Sequence, residues 1–370
     1  MCDRTYRRSK RAVALLHLSL LPFYMVALLL LLALSREGGP HRLSASLSAV
    51  REISALPPPA VAAFLDSFEL FGETAASYSG SPADVARLLG YYGVLNHLCA
   101  VGDFEKMYLP PRLDPGKGVY GNQLLYEKRM ASSLGVGPGD RVLDVGCGRG
   151  LVARGVSDGT GAEVTGLNID PVQLARAESY AAGALSPSSL SFVLGDYNDP
   201  LPFPDAHFDA AYYVQVLSYF TDLDAFYAEV FRVVKPGARV VFEDYVQGPN
   251  YDASDPHQRE LMRLSKPVLG GVCEVKPSVL QAAIEKAGFV VERSEDWSFE
   301  GEQYQLMQQS IDFFIPLQKL MSFLATVGLV PDHFAAMLGR MNDGAEAATE
   351  AVRDGVTNLG WVTEAVKPLE

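Results

Sequence analysis

The segment Arg141-Val-Leu-Asp-Val-Gly-Cys-Gly-Arg-Gly150 decides how this 370-residue chain folds. Residues 142–145 are apolar except for Asp144, which is typical of a short buried strand. Glycine then occupies every other position, and glycine lets a backbone turn sharply and approach a ligand closely. The segment therefore predicts a strand that ends in a ligand-binding turn, followed by a helix whose N-terminus faces the ligand.

Strands and helices alternate after this segment. One predicted helix begins at residue 151 and others cover 171–182 and 223–234, while the predicted strands are 141–145, 163–167, 191–194, 208–213, 239–243, 288–293 and 358–366. Parallel strands need a long crossover, usually a helix, so alternation at this spacing indicates a parallel, doubly wound sheet. The sequence therefore predicts an α/β fold with a mostly parallel, seven-stranded sheet flanked by helices.

Helical segments are also predicted on both sides of this core. Residues 60–107 are amphipathic, and residues 302–354 form a helical insertion before the last strand that is rich in Met, Phe and Leu. The insertion is either ordinary core or a lid and apolar substrate chamber that dips into a membrane. We divide the chain into a leader and linker (1–59), an N-terminal helical cap (60–135), a cofactor-binding core (136–298) and a helical substrate or lid segment with the final strand (299–370).

Charge and cysteine content exclude two classes of function. The formal net charge is −13, whereas nucleic-acid binding needs a concentrated basic face. The cysteines are too scattered for metal-ligand or disulfide spacing; they are Cys2, Cys99, Cys147 and Cys273. We therefore expect no nucleic-acid partner and no metal site.

Residues 12–34 are almost continuously apolar and follow a basic stretch at residues 4–11. A helix of this length crosses a bilayer, and the basic flank favours a cytosolic N-terminus. We expect a single membrane span, with the endoplasmic reticulum as the location. Two alternatives stay open: a signal cleaved near Ala33-Leu34-Ser35, or an organelle transit segment at residues 43–51 behind that signal.

Acidic and amide residues near the ends of the first three strands indicate the cofactor. Asp144 would repel a pyrophosphate, whereas its carboxylate suits the α-ammonium group of S-adenosylmethionine. After the second strand, Asn168 offers hydrogen bonds to ribose hydroxyls, and after the third, Asp196 and Tyr197 offer a carboxylate and an aromatic edge for adenine. The residues after the fourth strand would lie beneath the methionine portion. The predicted cofactor-binding residues are Asp144, Gly146, Cys147, Gly148, Asn168, Ile169, Asp196, Tyr197 and Gln215.

Several segments resemble the class I methyltransferases, and more closely the sterol C-methyltransferase family and its relatives that act on triterpenoids and other small lipids. They are Val142-Leu-Asp-Val-Gly-Cys-Gly-Arg-Gly150, Val164-Thr-Gly-Leu-Asn-Ile169, Glu229-Val-Phe-Arg-Val-Val-Lys-Pro-Gly237, Phe242-Glu-Asp-Tyr245, Asn250-Tyr-Asp252 and Ala287-Gly-Phe289. The resemblance runs from about residue 127 to residue 298. It implies a Rossmann-like class I methyltransferase fold, S-adenosylmethionine as cofactor, and C-methylation of a sterol, triterpenoid or related lipid.

The chain departs from the sterol pattern at two places. Sterol methyltransferases carry an aromatic Tyr-Glu-x-Gly-Trp-Gly segment upstream of the glycine turn, where this chain has Phe104-Glu-Lys-Met-Tyr-Leu-Pro-Pro-Arg112. The family also tends to have a glutamate and a histidine after the fourth strand, where this chain has Gln215 and Tyr219. These departures do not affect the prediction of methyl transfer, but they leave the identity of the methyl acceptor open.

Methyl transfer to an alkene leaves a cation that must be stabilised and must then lose a proton. Aromatic rings stabilise cations, and a carboxylate accepts the proton. We expect Tyr108 and Tyr219 to supply rings and Glu243, at the carboxyl end of the fifth strand, to supply charge.

Three interpretations of function remain at this stage. The first is a membrane-associated methyltransferase for a sterol, triterpenoid or similar lipid. The second is a methyltransferase for a soluble small molecule in an organelle after loss of the leader. The third is a non-catalytic cofactor-binding relative, or a nicotinamide oxidoreductase with a similar glycine turn; Asp144 and Asp196 fit adenosylmethionine better than a dinucleotide.

Overall fold

The structure is a computed structural model that describes residues 39–72, 78–102, 106–186, 189–271 and 275–370. The predicted apolar span 12–34, the possible cleavage site, Cys2, Cys273 and residues 104–105 lie outside these ranges. Within the described ranges, no helix is both long and apolar enough to cross a bilayer. The membrane span therefore stays a prediction.

Seven strands form one sheet in the order β3-β2-β1-β4-β5-β7-β6. The neighbours from β3 to β5 pair in parallel, and β7 pairs antiparallel with both β5 and β6. This arrangement confirms the predicted mostly parallel, seven-stranded α/β sheet. The strands are β1 (Arg141–Val145), β2 (Glu163–Asn168), β3 (Leu190–Leu194), β4 (Phe208–Val214), β5 (Val234–Gln247), β6 (Val290–Asp296) and β7 (Thr357–Val366).

The strand order reverses between β1 and β4, since β2 and β3 lie on one side of β1 and β4 and β5 on the other. A crevice opens at such a reversal, at the carboxyl ends of the strands. Asp144 pairs with Gly166 of β2 on one side and with Tyr212 of β4 on the other, so its carboxylate stands beside this crevice. The sheet topology thus places the glycine turn where a ligand is expected.

The helices cover both faces of the sheet and its carboxyl edge. They are α1 (Gly39–Ser54), α2 (Pro58–Ser67), α3 (Pro82–Val101), α4 (Val119–Leu134), α5 (Leu151–Thr160), α6 (Pro171–Ala181), α7 (Leu223–Val233), α8 (Pro256–Leu269), α9 (Pro277–Lys286), α10 (Tyr304–Thr326), α11 (Asp332–Asn342) and α12 (Ala345–Arg353). The structure differs from the predicted continuous helix at 60–107, because α2 passes into a 3-10 turn at Phe68–Phe71 before α3 begins at a Ser81 cap and Pro82. The N–H that proline lacks would have no partner within the helix at the first helical position, so proline favours the start of a new helix there. Part of the range assigned to leader and linker is also helical, as α1.

The N-terminal helices and the C-terminal insertion share one apolar cluster. Phe64 of α2, Leu98 of α3 and Phe334 of α11 are completely buried together, and Ile53 of α1 joins them. Tyr219, which follows β4, belongs to the same cluster. The two helical segments therefore pack as one layer over the carboxyl edge of the sheet.

Strand β5 is longer than the predicted 239–243. It pairs with β7 from Arg239 to Gln247, and Val234 pairs with Phe208 ahead of a register shift. The predicted helix end at residues 235–237 coincides with this irregularity, because Pro236 has no N–H to donate and Gly237 has a φ of 83°.

The shared cluster predicts unequal effects of two Phe→Ala substitutions on neighbouring helices. Phe334→Ala empties a fully buried site and should lower the free energy of unfolding by about 3–5 kcal/mol. Phe323→Ala, on α10 at 63% exposure, is the matched control and should change it by less than about 0.5 kcal/mol. Thermal unfolding measures both, and equal melting temperatures would rule out a common core.

Candidate active site

The glycine turn after β1 is a tight backbone loop. Gly146, Gly148 and Gly150 all have positive φ angles, of 72°, 53° and 70°. The N–H groups of Gly146 and Cys147 donate to the Leu167 carbonyl at 2.8 and 3.0 Å, which ties the turn to β2. A Cβ on Gly146 would lie 2.7 Å from both methyl groups of Val216. The turn therefore requires glycine here both for its dihedral angles and for space.

Asp144 is buried at the base of this turn. Its Oδ2 accepts a hydrogen bond from the Tyr212 hydroxyl at 2.9 Å. Burial raises the pKa of the Asp144 carboxyl to about 8; the Tyr212 hydrogen bond opposes this rise, and the nearby Glu127 charge adds to it. Among the residues that the structure describes, no cation forms an ion pair with Asp144, so its buried carboxylate is suited to a ligand that brings a positive charge.

The loops after β2 and β3 contribute polar side chains to the same cavity. Asn168 Nδ2 donates to Gln173 Oε1 at 3.1 Å, which fixes the orientation of its amide. Asp196 Oδ1 accepts from the backbone N–H of Asn198 at 2.9 Å and from its Nδ2 at 3.0 Å. The Tyr197 hydroxyl donates to the Val216 carbonyl at 2.9 Å. These side chains are held in place within the protein before any ligand binds.

The resulting cavity encloses about 1150 Å³, part of it open to solvent. All nine predicted cofactor-binding residues line it: Asp144, Gly146, Cys147, Gly148, Asn168, Ile169, Asp196, Tyr197 and Gln215. Its chemistry fits S-adenosylmethionine, because a buried carboxylate stands ready for the α-ammonium group and side chains of three strand ends meet around the space for adenosine. Asp144, Asn168 and Asp196 are the residues that would hold it.

Gln215 has a different role from the other cavity residues. Its Nε2 donates to the Leu109 carbonyl at 2.8 Å and to Glu243 Oε1 and the Leu359 carbonyl, both at 3.1 Å. Its Oε1 accepts from the Leu109 N–H at 3.2 Å. Because both ends of the amide are engaged, Gln215 joins the loop before α4 to strands β5 and β7 rather than offering free polar atoms to a ligand.

A second, apolar cavity adjoins the first. It encloses about 970 Å³, partly open to solvent, between α3, the end of α8 and the C-terminal helices. Tyr92, Met107, Tyr108 and Gln215 line both cavities and mark their boundary. Met107 and Gln215 have φ angles of 56° and 52°, a conformation that costs energy in residues other than glycine and often marks functional sites.

The predicted catalytic residues occupy three different positions. Tyr108 lines both cavities, and its hydroxyl donates to Glu127 Oε1 at 2.8 Å. Tyr219 lines the first cavity, and its hydroxyl donates to the carbonyl of Gly270. Its ring meets Tyr92 and Tyr78 edge-on. The two tyrosines therefore stand at or near the place where the cavities meet.

Glu243 does not reach this place. It is fully buried and is not among the described residues that line either cavity. Burial and the neighbouring Asp244 charge raise the pKa of the Glu243 carboxyl well above its usual value, against the effects of Gln215 and of the Tyr126 hydroxyl. The expectation that Glu243 supplies charge to the acceptor stays a prediction: the carboxylate lines neither cavity and accepts a hydrogen bond from the Gln215 amide in the wall between them.

Two charged residues close to Tyr108 were not identified from the sequence. Lys106 lines the first cavity and forms an ion pair with Glu127 of α4, at 2.5 and 2.6 Å to the two carboxylate oxygens. Glu127 stands in Glu-Lys-Arg, a run that is typical of a solvated helix face. Nothing local in the sequence indicates that it points inward.

Comparisons with known proteins agree with this geometry. Residues 143–242 match the family model of a methyltransferase domain. The chain is 30% identical over 280 residues to sterol 24-C-methyltransferase erg-4 of Neurospora crassa, covering 70% of this chain and 73% of that protein. It is 40% identical over 148 residues to botryococcene C-methyltransferase of Botryococcus braunii, covering 40% and 39% of the two chains. The crystal structure of the [4+2]-cyclase SpnF shares the fold, with a TM-score of 0.55 and 23% identity over 71% of this chain and 88% of that chain.

The sheet, the glycine turn and the cavity with Asp144 at its base define a class I S-adenosylmethionine-dependent methyltransferase. This confirms the predictions of fold, enzyme class and cofactor, and the nicotinamide and non-catalytic alternatives are not favoured. Within that class, the chain belongs to the sterol 24-C-methyltransferase family.

The raised pKa of Asp144 predicts that cofactor affinity depends on pH. The carboxyl must lose its proton to pair with an ammonium group, so S-adenosylmethionine should bind more tightly as pH rises toward the pKa of about 8. Between about pH 6 and pH 7.5, the affinity for S-adenosylmethionine should increase nearly tenfold per pH unit. Isothermal calorimetry measures this affinity and the proton released on binding.

Asp144→Asn should weaken binding by about 10- to 100-fold, the loss of one hydrogen bond to a charged group, and should abolish this pH dependence. Asp199→Asn, at an exposed site, is the control and should retain both affinity and pH dependence. Equal affinities of wild type at pH 6 and pH 7.5 would contradict the role of Asp144.

Proposed function

We propose that this methyltransferase adds a methyl group to a carbon–carbon double bond of a sterol or a triterpenoid. The observation that carries the proposal is the apolar cavity of about 970 Å³, which meets the cofactor cavity at Tyr92, Met107, Tyr108 and Gln215. The relatives named for sterol and botryococcene methylation support the same acceptor class.

The lining of the apolar cavity suits a large hydrocarbon. Met307 and Leu359 belong to one buried apolar cluster, and Ile311 and Phe314 of α10 line the same space. An apolar acceptor that enters this cavity gains the free energy of surface burial, and its walls exclude water from the reacting atoms.

Bound S-adenosylmethionine supplies a methyl group already activated as a sulfonium. The chain must therefore hold the acceptor double bond in line with that methyl group and stabilise the positive charge that the acceptor acquires. The rings of Tyr92, Tyr108 and Tyr219 lie around the boundary between the cavities. Their π faces attract a cation, which is the contribution that a hydrocarbon acceptor requires from its surroundings.

We also propose that residues 12–34 hold the enzyme at a membrane, with the endoplasmic reticulum as the location and a cleaved leader with an organelle destination as the alternative. Helix α1, which follows this apolar run, contacts α11, where His333 Nε2 meets the Ile53 carbonyl at 2.8 Å. The end of α10 beside it exposes Phe323 and Leu329 at 63% and 73%. Recovery of a shortened, soluble chain after cell fractionation would favour the alternative.

The acceptor class is tested with labelled cofactor and two matched sterols. Desmosterol carries a side-chain double bond at carbon 24, and cholesterol has the same skeleton and hydroxyl without that double bond. We expect a C-methylated product from desmosterol and none from cholesterol, measured by mass spectrometry. Methylation of both would indicate transfer to the hydroxyl and overturn the proposal. If neither sterol is methylated and squalene is, the acceptor class is restricted to triterpenoids.

The apolar cavity is tested by filling it. Ile311→Trp places an indole in the cavity and should lower kcat/KM for the sterol at least tenfold, the effect of about 1.4 kcal/mol, with unchanged affinity for S-adenosylmethionine. Leu320→Trp is the control on the same helix, at 39% exposure, and should retain activity. Equal activity of both variants would place the acceptor elsewhere.

A further inference from the structure

The hydroxyl of Tyr108 lies within a buried polar group at the boundary of the two cavities. It donates to Glu127 Oε1 at 2.8 Å, and the Gln123 carbonyl lies 3.3 Å away. A phenolic hydroxyl has one proton to donate and two lone pairs that accept. With its proton directed at Glu127, the Tyr108 oxygen keeps lone pairs that can accept a proton, and Tyr108 lines both cavities.

The carboxylate of Glu127 is held in turn by Lys106. The Lys106 side chain is 11% exposed and that of Glu127 is 6% exposed, so the ion pair is almost dry. A buried carboxylate next to an ammonium group keeps its charge more readily than one without a partner, and it attracts the proton of any hydroxyl that it bonds. Tyr108, Glu127 and Lys106 thus form a hydrogen-bonded group of three side chains, of which Tyr108 and Lys106 line the first cavity.

Helix α5 packs closely against this carboxylate. A Cβ on Gly155 would lie 2.8 Å from Glu127 Oε2. Gly155 is itself exposed to solvent. Because Gly155 has no side chain, the Glu127 carboxylate fits directly beneath an exposed position of the helix.

We propose that Tyr108 and Glu127, with Lys106 as counter-ion, carry away the proton that the acceptor loses after C-methylation. The inference rests on the proposed function, since transfer to a hydroxyl would place no cation in the cavity. Glu243, the carboxylate suggested by sequence, accepts a hydrogen bond from the Gln215 amide, whereas the Tyr108 hydroxyl donates to Glu127.

The proton and electron balance of the step is complete without another reactant. The acceptor double bond supplies the pair that forms the new carbon–carbon bond, and the sulfur keeps the pair of the bond that breaks. A C–H bond next to the resulting cation then gives its proton to the Tyr108 oxygen, and its electron pair forms the new double bond. Tyr108 passes its own proton to Glu127 in the same movement, so that no tyrosinate accumulates, and Glu127 later releases the proton beneath Gly155.

The first test removes the proton acceptor and keeps its shape. Glu127→Gln should lower kcat for desmosterol by about 100-fold or more, the usual contribution of a proton acceptor. It should also give a larger share of methylated alcohol, because water captures a cation that persists. The affinity for S-adenosylmethionine should be unchanged when it is measured above the Asp144 pKa of about 8, where Asp144 is ionised with or without the Glu127 charge. Glu127→Asp should restore part of the rate and the alkene product, and Tyr108→Phe should reproduce the product pattern of Glu127→Gln.

The double variant Tyr108→Phe with Glu127→Gln should be no slower than the slower single variant, because groups that act as a unit give non-additive losses. Losses that simply multiply, or an unchanged product ratio in Glu127→Gln, would overturn the proposal. Absence of any methylated product from wild type would instead contradict the proposed function, and the two failures are therefore distinguishable.

The pH dependence of kcat distinguishes a role of Glu127 in proton transfer from a purely structural role. The groups that act on Glu127 are Lys106 and Tyr108 at hydrogen-bond distance, with Tyr126, Tyr212 and Asp144 further away. Glu127 can accept a proton only when its carboxyl is ionised. Burial raises the pKa of this carboxyl, and Lys106 lowers it. Lys106→Met should therefore move the acidic limb of kcat, at saturating cofactor, to higher pH. A limb that stays in place, or one that moves to lower pH, would contradict the proposal.

The close contact at Gly155 is tested by a matched pair on helix α5. Gly155→Ala places a methyl group against the Glu127 carboxylate and should lower kcat and shift product toward the alcohol. Gly159→Ala, on the same helix with no atom within 4 Å of the added Cβ, should leave both unchanged. Alanine favours helix at both sites, and thermal unfolding of both variants separates a loss of activity from a loss of folding. Equal products from the two variants would overturn this part of the proposal.

Discussion

The side-chain amide of Gln215 is the interaction on which the active site depends. One residue with a positive φ angle bonds the loop at Leu109, the carboxylate of Glu243 and the carbonyl of Leu359. These partners come from the segment before the sheet, from β5 and from β7, which are far apart in the chain. The amide thus fixes the wall shared by the two cavities, and the strain of its backbone is sustained because four hydrogen bonds hold the side chain.

The sequence predicts the cofactor half of the site well and the acceptor half poorly, for a physical reason. Asp144 and Asn168 lie at the carboxyl ends of β1 and β2, and Asp196 follows β3, so their meeting at one edge of a parallel sheet follows from the topology. Glu127 lies on a helix whose orientation depends on packing against α5 and on the distant Lys106. A local pattern cannot distinguish such a buried glutamate from a solvated one.

The same reasoning explains the other differences from prediction. Glu243 stands at the carboxyl end of a strand, where strand alternation turns its side chain under Gln215. The break between α2 and α3 and the lengthened β5 arise from partners distant in sequence, which pair or pack only in the finished fold. Asp244, next to Glu243, has different hydrogen-bond partners. Burial raises the pKa of the Asp244 carboxyl to about 7, and hydrogen bonds from three backbone N–H groups oppose this rise. One of these donors is the N–H of Leu217, so Asp244 stabilises the turn there.

Three of the helices that line the second cavity, α10, α11 and α12, are inserted between β6 and β7, two strands that pair directly with each other. In effect, α10, α11 and α12 are the loop of an antiparallel hairpin, tethered at both ends to the edge of the sheet. Such a loop can change its length and side chains while the pairing of β5, β6 and β7 persists. The inserted helices can therefore change in evolution while the strands and turns of the cofactor site stay the same. Relatives with the same cofactor core can then differ in the molecule they modify.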